Sequence, residues 1–151
     1  NISKFRKVNV VANLPYNLSS KIILHLFRNS KHIDEMVLMI QKEMADKFNY
    51  NSPKMNKYKF LTKLLCTYSI YFHVSSEVFI PKPKVKSSVV KFKFDKKKYD
   101  LNKAINFSKL IFKNIRKKIN NNIKLNSKNK LLEKRVDQLS VNELLKIYNL
   151  F

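Results

Sequence analysis

Asn13-Leu14-Pro15-Tyr16, directly after the apolar run Val8-Asn9-Val10-Val11-Ala12, gathers a carboxamide, a rigid ring and a phenol within four residues. A β-branched run followed at once by Asn and a Pro-fixed turn predicts that these groups sit at the carboxyl end of a buried strand. Open α/β sheets bind their ligands at that edge. The set suits alkylation of an amino group on a nucleobase, a poor nucleophile because its lone pair is delocalised into the ring. The Asn13 side-chain oxygen and a neighbouring backbone carbonyl can accept both N–H bonds and favour a pyramidal nitrogen. Tyr16 can stack on the base, and its ring face can attract a cationic methyl sulfonium. A strand ending in an ordinary Asn-Pro turn uses the same four residues, so the motif is read with the rest of the chain.

The elements that must position these groups follow from periodicity. After the strand at 8–12, Ser19 or Ser20 is placed to cap a helix whose Ile22, Ile23, Leu26 and Phe27 recur at helical spacing. Met36 to Ile40 is a continuous apolar run, as expected of a strand buried on both faces. Gln41–Phe48 reads as helix, 49–57 as a polar loop, and 58–69 as a further helix that carries Cys66 in its core. Ile70, Phe72 and Val74 alternate as a strand, and Val90, Phe92 and Phe94 alternate with Lys91 and Lys93 in a last strand with one wet face. Lys96-Lys97-Lys98 and Asp100 mark a linker. Beyond it the pattern is helical: Phe107, Ile111, Ile115 and Ile119 form one stripe, and Lys109, Lys113, Arg116, Lys117 and Asn120 another. Ser140 and Glu143 have the spacing of a capping box ahead of Val141, Leu144, Leu145 and Tyr148.

Composition narrows the partners. The 151 residues suit one domain or a small domain with an appendage, and 44% hydrophobic content suffices for a core. A net charge of +22 repels itself unless a polyanion is near, which points to nucleic acid; an AT-rich coding bias, which favours Lys and Asn, is the competing reading. Cys66 stands alone, so no disulfide framework exists and a reducing compartment is expected. His25, His32 and His73 lack metal-ligand spacing, and no metal is expected. No apolar run approaches the ~20 residues of a membrane span. Gly is absent altogether, so no Gly-rich loop can cradle a phosphate.

Three motifs occur in order: Val11-Ala12-Asn13-Leu14-Pro15-Tyr16-Asn17-Leu18-Ser19-Ser20, then Met39-Ile40-Gln41-Lys42-Glu43-Met44-Ala45, then Phe79-Ile80-Pro81-Lys82-Pro83-Lys84-Val85-Lys86-Ser87-Ser88-Val89-Val90. Together they resemble the KsgA family of ribosomal RNA adenine dimethyltransferases over nearly the whole chain. Phe112 followed by Arg116-Lys117-Lys118 is similar to the basic helix that opens that family's C-terminal domain. The resemblance implies the later half of a Rossmann-like, S-adenosylmethionine-dependent α/β methyltransferase sheet over residues 1–96. A small helical RNA-binding domain would follow over 97–151. In such enzymes the Gly-rich cofactor loop and the ribose-binding acid precede the Asn-Leu-Pro-Tyr turn. Only twelve residues do so here, so the chain is expected to be a fragment, inactive alone.

By the same resemblance Asn13, Leu14, Pro15, Tyr16 and Phe79 are the catalytic set, with Asn13 and Tyr16 also facing the cofactor. Phe79 would sandwich a flipped adenine against Tyr16, recovering ~1–3 kcal/mol per stacked base. Lys82, Lys84 and Lys86 alternate along a Pro-stiffened segment and are expected to meet RNA phosphates, as are Lys109, Lys113, Arg116, Lys117 and Lys118; a solvated charge run is the competing reading. Three positions depart from the family: Lys86 where an acid or amide is common, Ile115 where a base is usual, and Lys59 where Gly often follows the Tyr. The implied substrate is adenine in a hairpin of small-subunit rRNA, the partner the pre-ribosomal small subunit, and the protein a monomer in an organelle or the cytoplasm. A related large-subunit rRNA methyltransferase, or a non-catalytic RNA- or DNA-binding factor of the same fold, are the alternatives.

Overall fold

The computed structural model describes residues 7–95 and 99–151. The expected linker Lys96-Lys97-Lys98 lies outside the described residues. Two compact units divide the rest. The first holds residues 7–49 together with 65–95; the second holds 50–64 together with 99–151. The segment 50–64, expected in the first domain, thus packs with the later residues.

In the first unit the elements run β1 (Val8–Asn13), α1 (Ser19–Arg28), β2 (Ile33–Gln41), α2 (Lys42–Phe48), β3 (Cys66–Val74) and β4 (Ser87–Phe94). The sheet order is β1-β2-β4-β3. β1 runs parallel to β2, whereas β4 is antiparallel to both of its neighbours. The parallel β1–β2 pair, joined through α1, is the crossover unit that an alternation of apolar run and amphipathic helix demands. On β2 the face carrying Met36, Leu38 and Ile40 is fully buried, while Val37 and Met39 on the other face are only half-buried. Ile23 and Phe27 of α1 are buried, and Phe27 packs on Phe92, the partner of Met36 across the sheet. An aromatic cluster fills the core: Phe92 lies 5.6 Å from Phe27, 5.2 Å from Phe48 and 4.9 Å from Tyr68, ring centre to ring centre. The Tyr68 hydroxyl, buried with its ring, donates to the Ala45 carbonyl at 2.7 Å.

Several expectations give way here: β1, expected to be buried, alternates half-buried and exposed residues, with Val11 outward. The helix expected over 58–69 ends at Leu65, and Cys66 opens β3 opposite Phe94. Pairing with β4 claims residues 66–69, whose Thr67 and Tyr68 favour strands, over the helical pattern. Cys66 is a core residue there, and burial beside Asp95 pushes its thiol upward, away from reactivity. A register shift between Ile70 and Phe72 turns Phe72 outward, so the expected inward alternation fails at that residue. Neither Ser19 nor Ser20 caps α1; Leu18 holds the cap position and makes no side-chain cap bond.

The second unit contains α3 (Lys57–Leu65) through Leu64, then α4 (Leu101–Ile111), α5 (Ile119–Asn122) and α6 (Val141–Leu150). Phe107 centres its core, 5.2 Å from Phe60, 5.4 Å from Tyr148 and 5.2 Å from Phe151. Lys59, in the place of the family's frequent Gly, is buried, and its ammonium donates to the Ser52 carbonyl. Desolvation lowers its pKa from the ordinary lysine value.

The long basic helix expected across 107–120 is not formed. α4 stops at Ile111, turns occupy 112–117, and Ile115, expected in the apolar stripe, is exposed. The cause is local. The Asn122 carboxamide donates to the carbonyls of Ile111 and Asn114, at 3.4 Å and 3.0 Å, satisfying acceptors that a continuing helix would use. The backbone then bridges Lys118 to Arg135, and the Ile119 amide donates to the Lys134 carbonyl at 3.0 Å.

The capping box on α6 forms as expected. The Glu143 amide donates to Ser140 Oγ at 3.2 Å, and the Ser140 amide donates to Glu143 Oε2 at 2.8 Å. The Ser140 amide, the Ser140 hydroxyl donating to the same oxygen at 2.9 Å, and Lys134 alongside hold the Glu143 carboxyl at about 2, below its ordinary 4.5. A depressed acid stabilises the fold fully above its unfolded pKa and loses that contribution as pH falls through the folded one. Ser140→Ala should therefore cost about 1 kcal/mol at neutral pH. The difference from the parent should shrink as pH falls from 4.5 towards about 2, as read by chemical denaturation across that range.

Candidate functional site

The carboxyl end of β1 is fixed by its neighbours before any side chain is considered. Asn13 ends the ladder opposite Met39, and the next amide, Leu14, donates to the Met39 carbonyl at 3.1 Å. Leu14 is buried, anchoring the turn inward. Pro15 offers no amide, but its carbonyl accepts from the Leu18 amide at 3.1 Å and from Ser19 Oγ at 2.9 Å. Ser19 is buried and spends its hydroxyl on the turn, which is why it does not cap α1. Tyr16 follows with its ring half-buried, and its hydroxyl shares a 2.6 Å hydrogen bond with Ser87 Oγ at the start of β4.

The second wall comes from the segment between β3 and β4. Ser75 caps a single 3₁₀ turn at Ser76–Val78, after which Phe79 enters an extended conformation ahead of Pro81 and Pro83. The two walls enclose an open cavity of about 430 Å³ lined by Asn13, Leu14, Pro15, Tyr16, Phe79, Ile80, Pro81 and Pro83. All five residues expected to be catalytic line it. The lining holds no Asp, Glu, Lys, Arg or His, and Asn13 supplies the one carboxamide. Chemically the cavity offers aromatic and proline faces for a flat ring, with a single amide to orient a polar group on that ring.

The basic residues fall less regularly than expected. Lys82 pairs with Glu77 at 3.4 Å, and bends at Lys84 and Val85 break the even alternation that would aim Lys82, Lys84 and Lys86 to one side. Lys84 and Lys86 are exposed, and the Lys86 carbonyl accepts from the Lys42 amide at 2.9 Å. In the second unit Lys109 lies in the last turn of α4, whereas Lys113, Arg116 and Lys117 are exposed in the turns after it. Lys118 pairs with Glu133 at 2.9 Å. They form a basic stretch of chain, not one helix face. Sequence reasoning missed Ser87, which meets Tyr16 across 71 positions of sequence; two serines opening a strand carry no signal of their own. Among the described residues no helix is long and apolar enough to cross a membrane.

The fold is that of Rossmann-like rRNA methyltransferases. A crystal structure of a dimethyladenosine transferase from Plasmodium falciparum superposes with a TM-score of 0.76 at 23% identity, covering 92% of this chain and 64% of that one. Residues 1–151 match the family model described as ribosomal RNA adenine dimethylase, and the chain belongs to that family. Its relatives include a ribosomal RNA small subunit methyltransferase A from Ureaplasma urealyticum, 39% identical over 127 residues that make up 82% of this chain and 45% of the relative. Another of the same name, from Hydrogenobaculum, is 30% identical over 150 residues, 98% of this chain and 59% of the relative. The chain thus spans about half the length of the curated relatives it matches.

Proposed function

We propose that the protein is an S-adenosylmethionine-dependent dimethyltransferase acting on the exocyclic amine of adenine in a small-subunit rRNA hairpin. The observation that carries this reading is the cavity that joins Asn13-Leu14-Pro15-Tyr16 to Phe79. Family membership and the names of the relatives support it.

The residues present fit the methyl-bearing part of the donor: a partly aromatic cavity with no Asp, Glu, Lys, Arg or His in its lining, where the Tyr16 ring would attract a sulfonium. Asn13 and Tyr16 would hold that part, which supplies an electrophilic methyl. On the substrate side, Tyr16 and Phe79 take the base between them and offset the cost of removing it from its stack. Asn13, at the end of a hydrogen-bonded ladder, accepts an amine N–H and draws the lone pair out of conjugation as the new bond forms. Because this interaction strengthens as the nitrogen becomes tetrahedral, it favours the transition state over the bound substrate.

Asn13→Ala in the full-length protein should therefore lower single-turnover methylation by roughly 100-fold or more. RNA affinity should change by less than about twofold, as measured by filter binding alongside the rate. Loss of RNA binding with an unchanged rate would contradict the assigned role. For the basic stretch, neutralising Arg116 and Lys117 to Gln should weaken binding to many RNAs alike. It should also flatten the slope of log affinity against log salt by about one unit per lost phosphate contact. The parent's slope in the double variant would place the RNA-binding surface elsewhere.

A further inference from the structure

Ser87 is fully buried, yet its hydroxyl is directed at Tyr16, a residue 71 positions away in sequence that lines the cavity. Its backbone is paired on both sides. As the first residue of β4 it lies opposite Gln41 of β2 on one side and Val74 of β3 on the other. The preceding carbonyl, of Lys86, is held by the Lys42 amide at 2.9 Å. A tyrosine ring next to an open cavity otherwise keeps freedom about two torsions, and stacking or cation–π attraction depends on the plane of the ring. The 2.6 Å bond ties the phenol to the rigid sheet and removes that freedom. Ser87 also ends the segment that begins with Phe79, so one residue connects the two walls of the cavity.

We propose that Ser87 is a positioning residue: it locks the Tyr16 ring in the plane that receives the base and the methyl donor. This rests on the methyltransferase reading above and adds to it a residue that never touches substrate.

The test uses the full-length protein as wild type, Ser87→Ala, Tyr16→Phe, the double variant and Ser87→Thr, each first shown by thermal melting to be folded. With an adenine-containing RNA hairpin, Ser87→Ala and Tyr16→Phe should each lower kcat by about tenfold, the scale of one hydrogen bond. KM for the RNA should move by less than about twofold. The double variant should be no slower than either single one, because both remove the same bond. Ser87→Thr, which keeps the hydroxyl, should recover most of the rate. A parental kcat in Ser87→Ala, or losses that multiply to about a hundredfold in the double variant, overturns the proposal. If Ser87→Ala does not fold, Tyr16→Phe alone decides it, since it keeps the ring and removes only the bond; an unchanged kcat is then fatal. A wild-type protein that methylates no RNA refutes the functional reading instead. In that event NMR of ring-labelled tyrosine judges the anchor: a shifted and broadened Tyr16 signal in Ser87→Ala supports it, and an unaltered signal overturns it.

Discussion

The hydrogen bond from the Leu14 amide to the Met39 carbonyl, 3.1 Å long, is the constraint on which the site depends. It carries the parallel ladder one residue beyond Asn13, so the chain leaves the sheet only after the register with β2 has set where the Asn13 side chain emerges. Everything downstream inherits that position. Leu14 is buried, Pro15 has a fixed φ and an engaged carbonyl, and Tyr16 is tied to Ser87. Without Gly, the residue that takes positive φ most freely, the turn is built at negative φ, and none of the described residues has positive φ. Pro15, with two donors on its carbonyl, supplies the rigidity needed.

The sheet behind the turn gives the second wall its stability. β4 lies between β2 and β3, and the aromatic cluster around Phe92 packs beneath it. The start of β4 is therefore a fixed point, and the Phe79–Lys86 segment hangs from it. Burying Phe92 wholly among Phe27, Phe48 and Tyr68 contributes on the order of 2–3 kcal/mol of hydrophobic stabilisation. It also makes both cavity walls parts of one packed unit, which keeps Asn13, Tyr16 and Phe79 in a constant relation.

The turn was legible in the sequence because its signals are local, whereas Phe79 was joined to it only through the resemblance. A β-branched run, Asn, Pro and Tyr specify a strand end and a turn wherever they fall, and Pro81 and Pro83 stiffen the segment after Phe79. The capping box at Ser140 and Glu143 was legible for the same reason. The expectations that failed depended on residues far apart in sequence. The apolar spacing of Phe107, Ile111, Ile115 and Ile119 continues a helical pattern that Asn122 and the Lys118–Arg135 bridge interrupt. Cys66 comes directly after a helix and reads as its continuation, but Phe94 claims it for the sheet. The buried Lys59 and the Ser87 hydroxyl have no sequence signature, since each is defined by a carbonyl or phenol that only folding brings near.

Under the proposed function, the Asn13–Tyr16 turn and Phe79 form a site for methylating adenine. Mass spectrometry of nucleosides, digested from an rRNA hairpin after incubation with the full-length protein and S-adenosylmethionine, tests it most directly. The expected product is adenosine carrying two methyl groups on its exocyclic nitrogen. Unmodified RNA, or methyl groups confined to ribose or to another base, would contradict it.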